Sequence, residues 1–278
     1  MTDTHVFQDR MLQTIAELST EARRKIKNLQ IEADEAARLQ KIWADLYSFL
    51  QKGWPLHALD LMDRETTLLK KLRIENHPAT STLQEIHQAA KDQAATIRRR
   101  FPAYLEEACN VNNLSIDHES RHPRYSFERG FFKLEIDDRG GMARLSDHEG
   151  QLGEFPADIG AVIEIVQREH KRIFGRPFEG DKFLKKLRRQ YLAVIKKVGK
   201  ADGTSVPIRH ITRRLGKNEK GFRTDEFLID LSRLVEKGPI EIDGRRLDLQ
   251  QTKDTNQGML LLGAAGRGYV GFIIFKEK

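Results

Sequence analysis

Two histidines four residues apart, with a glutamate after the first, stand at His118-Glu119-Ser120-Arg121-His122. On a helix this spacing puts both imidazoles on one face, where they can hold zinc while the glutamate activates a water. The chemistry would be metal-assisted peptide hydrolysis. The flanks oppose it: Asn110-Val111-Asn112-Asn113 lie upstream, and Pro123 follows His122 directly. A proline biases the residue before it away from the helical region, and that residue is the second ligand. Leu114 to Arg124 is almost without apolar side chains, and no third ligand follows at a matching spacing. The expectation is a polar loop with no metal and no cofactor; a zinc peptidase through His118 and His122 is the remote alternative.

Two further patterns fail on context. Gly266-Arg267-Gly268-Tyr269-Val270-Gly271 is a literal G-x-G-x-x-G, but a dinucleotide site needs a long helix after it. Here Phe272-Ile273-Ile274-Phe275 reads as strand and the glycines as a wing or turn. Glu169-His170-Lys171, with Asp158 upstream, offers the acid set of some magnesium nucleases. Both acids fall on one expected helix, about 16 Å apart at ~1.5 Å per residue, too far to share an ion. No nucleophile motif or P-loop appears, and Cys109 reads as a packed helix residue.

Charge is the stronger signal. Residues 1–122 hold 17 Lys+Arg and 18 Asp+Glu, and residues 123–180 hold 9 and 11. Residues 181–223 hold 14 and 3, and residues 224–278 hold 8 and 9. The whole positive surplus therefore sits in one stretch, which points to a polyanionic partner. One cysteine excludes an internal disulfide framework and fits a reducing cytoplasm. No run approaches the ~18 apolar residues of a membrane span, and the N-terminus lacks the pattern of a secretory leader. The expectation is a cytoplasmic protein with no membrane partner.

The elements that must position these groups form three regions. Residues 1–110 read as helix, broken near Gly53-Trp54-Pro55 and Asn76-His77-Pro78. Leu12, Ile15, Ser19, Ala22, Ile26, Leu29, Ala33, Ala36, Gln40, Trp43, Tyr47 and Leu50 follow a 3–4 spacing, a coiled-coil seam. Long helices with short breaks fold back on one another, giving a helical hairpin or three-helix arm, its second helix running from Pro55 to Arg73. Ile15, Ala22, Ile26, Leu29, Trp43, Tyr47 and Leu50 are the expected contacts to a protein partner or to a second copy. Residues 111–178 alternate as a small antiparallel β-meander and then form a helix with Asp158 as N-cap. Residues 179–278 give three helices, the second starting at Val206-Pro207, then a hairpin through Asp243-Gly244 and a final strand from Tyr269 to Phe275. The fold class is α+β, mostly α.

Three helices followed by a β-hairpin resemble a winged-helix domain. Such domains place their third helix in the DNA major groove and touch flanking backbone with the wing. Here the third helix opens Thr224-Asp225-Glu226, and those acids repel phosphate. The expected nucleic-acid contacts are therefore Lys182, Lys185, Lys186, Arg188, Arg189, Lys196 and Lys197 on the first helix. Arg209, His210, Thr212, Arg213, Arg214, Lys217, Lys220 and Arg223 follow on the second helix and the loop after it. Arg245 and Arg246 join them from the wing, with Lys253 and Arg267 beside them. This layout suits backbone contact more than base readout. Helical arms joined to winged helices also resemble the accessory subunits of SMC-type ATPase complexes, by architectural analogy. The reading is a non-enzymatic subunit that grips double-stranded DNA with low specificity, in chromosome maintenance or in defence against phage or plasmid DNA. The alternatives are a winged helix that docks a protein, and a replication initiator or transcription regulator.

Overall fold

The computed structural model describes residues 3–254, 257–263 and 266–277. The chain is α+β and divides into two compact units, Met1–Ala95 and Thr96–Lys278. No helix among the described residues is long and apolar enough to cross a membrane.

The first unit is helical. α1 (Asp3–Lys52) is followed by α2 (Pro55–Arg64), α3 (Thr66–Ile74) and α4 (Ala79–Val111), which runs on into the second unit. α1 ends where Gly53 takes φ +65°, so that Gly53 N–H reaches Leu50 O and Trp54 N–H reaches Phe49 O. These paired bonds satisfy carbonyls that the last turn leaves open. Asn76 closes α3 and Asn113 closes α4 in the same way. The expected single helix from Pro55 to Arg73 is broken at Glu65. There the Thr66 hydroxyl donates to Asp63 O (2.6 Å), and the backbone of Glu65 departs from helical geometry.

The unit's core joins Ile42 and Leu46 of α1 to Leu61, Met62, Leu68, Leu72 and Leu83, with Leu39, Trp43 and Phe49 at its edge. The inward face of α1 is thus 39–42–46–49, one position off the expected 40–43–47–50. Tyr47 and Leu50 of the expected partner seam point to solvent, and Trp43 is partly committed to the core. The packing of α2 and α3, which the repeat within α1 does not encode, sets this rotation.

In the second unit, β1 (Arg124–Phe127), β2 (Phe132–Asp137), β3 (Met142–Ser146) and β4 (Gln151–Pro156) form an antiparallel meander in chain order. β2 alternates buried Phe132, Leu134 and Ile136 with exposed residues. α5 (Ile159–Phe174) follows, and Phe174 packs edge-on against Phe131 and Phe132. Asp158 is the N-cap residue, but its side chain makes no capping bond.

Next come α6 (Gly180–Lys197), β5 (Val206–Pro207), α7 (Ile208–Asn218) and α8 (Thr224–Lys237). β6 (Glu241–Ile242), β7 (Arg245–Gln251), β8 (Met259–Gly263) and β9 (Gly266–Glu277) complete a sheet ordered β5-β9-β7-β6, with β8 also on β9. Positive φ at Asp243 and Gly244 makes the β6–β7 turn, as Asp-Gly predicts. Val206-Pro207 is a strand paired to Ile273 and Phe272, not the start of a helix. Gly266, Gly268 and Gly271 lie within β9, so they form strand and not a turn. At Gly271 a Cβ would stand 3.0 Å from Thr252. β8, which the sequence did not reveal, packs on α8 and sends Leu262 N–H to Ser232 Oγ (3.1 Å).

α5 and α8 are joined by a charged clasp. Arg172 donates to Asp225 (2.5 Å), Glu226 (2.8 Å) and Glu169 (2.8 Å). Arg176 pairs with Asp230 at 3.0 Å, and Arg233 donates to the carbonyls of Arg176 and Phe174. Asp225 is 4% exposed. Burial opposes its charge, but hydrogen bonds from Arg172 and Arg223 outweigh that and hold its carboxyl below the usual value. Removing one partner of a buried pair strands the other. Arg172→Ala is expected to cost about 3–5 kcal/mol in urea unfolding at neutral pH. Because the Asp225 pKa is lowered by folding, its contribution is lost as pH falls through the folded value. The penalty of Arg172→Ala should therefore shrink below about pH 4, the ordinary aspartate range.

Candidate nucleic-acid interface

The HESRH stretch is not helical. His118 lies in a turn, and His122 precedes a cis proline beside β1. Both ring nitrogens of His122 are engaged, Nε2 with Asp138 (2.8 Å) and Nδ1 with the Tyr125 hydroxyl (3.1 Å). A zinc ligand needs one of them free. Among the described residues no group of three His, Cys, Asp or Glu side chains could hold a metal ion. Cys109 is buried, and burial with help from Glu106 pushes its thiol up to about 11, away from nucleophile chemistry. Glu169 is spent on Arg168 and Arg172, which removes it from any nuclease-like set.

The expected cationic contacts from Lys182 to Arg246 fall mainly into two groups. Six are tied to acids: Lys182 to Glu179, Lys186 to Glu219, Arg188 to Asp202, Arg209 to Glu149, Arg223 to Asp225, and Arg245 to Asp202 and Glu277. Arg188 is the extreme case. It is 5% exposed and makes a two-bond fork to Asp202 (2.7 and 2.5 Å). Its hydrogen bonds hold the Asp202 carboxyl below its usual value. As a phosphate contact Arg188 is therefore a correction: its guanidinium is inside the fold. Thr212 is also buried, its hydroxyl on Arg209 O (3.3 Å). The side chain of Arg267 lies outside the described residues.

Among the described residues, Lys185, Arg189, Lys196, Lys197, His210, Arg213, Lys217, Lys220 and Arg246 have neither an ion pair nor a side-chain hydrogen bond. α6 buries Leu184, Leu187, Tyr191, Val194 and Ile195. Lys185, Arg189 and Lys196 repeat at helical spacing on its exposed side. α7 buries Ile208, Ile211, Thr212 and Leu215, and this leaves His210, Arg213 and Lys217 outward.

Between the two helices is an open cleft of about 330 Å³, lined by Lys197, His210, Arg213, Arg214 and Lys217 over Val194 and Val198, with Asn218 at its edge. No carboxylate lines it. Arg214 is held in place by a neutral acceptor, Gln190 Oε1, at 3.0 Å. Gathered cations with no countercharge make a site for an anion such as phosphate.

The acids of α8 that would repel DNA are neutralised internally by Arg172 and Arg176. The sequence reading missed these two arginines. Their only local sign was a pair four residues apart around the end of α5.

No protein-family model matches the chain, and no curated protein or solved structure matches it.

The neighbours Arg188 and Arg189 separate the two groups. Arg188→Gln is expected to cost about 3 kcal/mol, the low end of the buried-pair range, because Asp202 is partly exposed. Arg189→Gln should leave the urea midpoint unchanged. Equal losses in the two variants would contradict the sorting.

Proposed function

We propose that this chain is a non-enzymatic DNA-binding accessory subunit of a larger assembly, gripping the duplex backbone with little sequence preference. The observation that carries the reading is the α6–α7 cleft, where Lys197, His210, Arg213, Arg214 and Lys217 converge without a carboxylate. The order α6, β5, α7, α8 and then β7 and β9 supports a winged-helix domain. α8, the helix that would read bases in such a domain, opens with Asp225 and Glu226, which are held on Arg172. That favours phosphate contact from α6 and α7 over base readout. α1 supplies an arm for a protein partner or a second copy. Arm and basic domain together resemble SMC-type accessory subunits, an analogy that supports chromosome maintenance or defence against foreign DNA as the setting. The reading takes the cytoplasm as the compartment, in keeping with the single cysteine.

A second reading, docking of an acidic protein segment, draws on Leu192 and Val198. They are 37% and 53% exposed among the cations, and an apolar contact there suits a protein better than a phosphate chain.

Titration of labelled random-sequence duplex at several salt concentrations separates the readings. The parent should bind with a steep negative dependence on log salt. Changing Lys197, Arg213, Arg214 and Lys217 together to Gln should flatten that slope by about three to four, roughly one per lost phosphate contact. No binding by the parent would favour the protein-docking reading. A strong preference for one duplex sequence would favour a regulator or initiator.

A further inference from the structure

α1 carries an apolar stripe that nothing in the described chain covers. Every residue from Arg10 to Asp34 is exposed. Among the described residues, seven of the fourteen large hydrophobic side chains that are exposed lie between Met11 and Ile31. Ile15 is 64% exposed and Ile26 is 67% exposed. A lone helix in water draws little stability from propensity alone, and an apolar stripe of this length is costly to hydrate. The stripe therefore calls for an occupant.

Its spacing and charges select one. The stripe runs Met11, Ile15, Leu18, Ala22, Ile26, Leu29, Ala33, with steps of 4-3-4-4-3-4. At ~100° per residue these positions stay within about 40° of a single line, and the 11-residue step keeps the line nearly straight. The steps read the same in both directions from Ala22. An antiparallel copy centred there sets Ile15 level with the other Leu29, and Leu18 level with the other Ile26. Ala22 meets itself, and its small side chain admits close approach.

Charge agrees with this direction. Glu17 and Glu21 precede Ala22, while Arg23, Arg24, Lys25 and Lys27 follow it. Antiparallel pairing sets each basic run level with the other copy's Glu17 and Glu21, and puts Arg10 on the same flank as the other copy's Glu32, about 3 Å away along the axis at ~1.5 Å per residue. Lys25 and Glu21 flank the stripe on the same side, so each copy's Lys25 meets the other's Glu21 about 3 Å away along the axis, at ~1.5 Å per residue. Parallel pairing in register would stack four cations on four within a screening length of ~8 Å. The antiparallel arrangement retains two like-charge contacts, Arg23 with its copy and Glu21 with its copy, and each copy's Lys25 lies beside the second of these.

We infer that α1 pairs with α1 of a second copy of this chain as an antiparallel two-helix coil with its two-fold axis at Ala22. The inference rests on the proposed role of the arm as a partner-binding surface and names the partner. It is tested on the full chain. Sedimentation equilibrium should give twice the 32.1 kDa chain mass, and Ile15→Glu combined with Ile26→Glu should return the single mass. Direction is read from the double variant Ile15→Cys, Leu29→Cys, oxidised and peptide-mapped; the native Cys109 is buried and does not compete. Bonds between 15 and 29 of different chains are the expected result. Bonds of 15 to 15 and 29 to 29 would overturn the antiparallel pairing. A parent that stays at 32.1 kDa at every concentration overturns the inference altogether. A monomer that still binds random duplex sinks the pairing while leaving the nucleic-acid reading intact, whereas a dimer that ignores DNA does the reverse.

Discussion

The guanidinium of Arg172 reaches three carboxylates, one on its own helix and two on α8. It fastens the helix of the meander to the helix that follows the basic segment. The link is directional: a planar fork meets carboxylates at fixed angles, and this sets the register of α5 on α8 more sharply than apolar contact could. Such a pair contributes little net stability compared with a hydrophobic one, yet breaking it is costly. Its effect on the surface is the larger consequence. The acids of α8 are drawn inward, and Lys197 of α6 with Arg213 and Lys217 of α7 remain without local countercharge.

That partition gives the charge surplus of residues 181–223 a spatial meaning. Along the chain the basic residues look equivalent. In the fold, Arg188 and Arg245 converge on Asp202 and belong to the interior framework, whereas Lys197, Arg213 and Lys217 share a cleft with no acid. A rotation of about 100° per residue separates Arg188 from Arg189, and one faces the core while the other faces water. Only the outward set can meet a phosphate without first losing a partner.

Much of the fold was legible because its signals are local. Glycine or asparagine at Gly53, Asn76, Asn113 and Gly199 marks helix ends, where a positive φ is needed. Asp243-Gly244 marks its hairpin, and the alternation of Phe132, Leu134 and Ile136 marks a strand. The misreadings share a cause. β5 exists through pairing with β9, and β8 through contact with α8; both partners are distant in sequence. The inward face of α1 is rotated by one position because α2 and α3 decide it. The site was legible as a charged segment but not as a list of contacts, since the sorting of its cations depends on Asp202, Glu219 and Glu149 reaching in from elsewhere.

In the proposed function α6 and α7 meet nucleic acid while α8 does not. Amide hydrogen exchange on the full chain, with and without saturating random-sequence duplex, addresses it most directly. The account predicts slowed exchange in the exposed turns of α6 and α7, around residues 185–197 and 208–220, with α8 unchanged. Protection confined to α8, or the same exchange pattern with and without duplex, would contradict it.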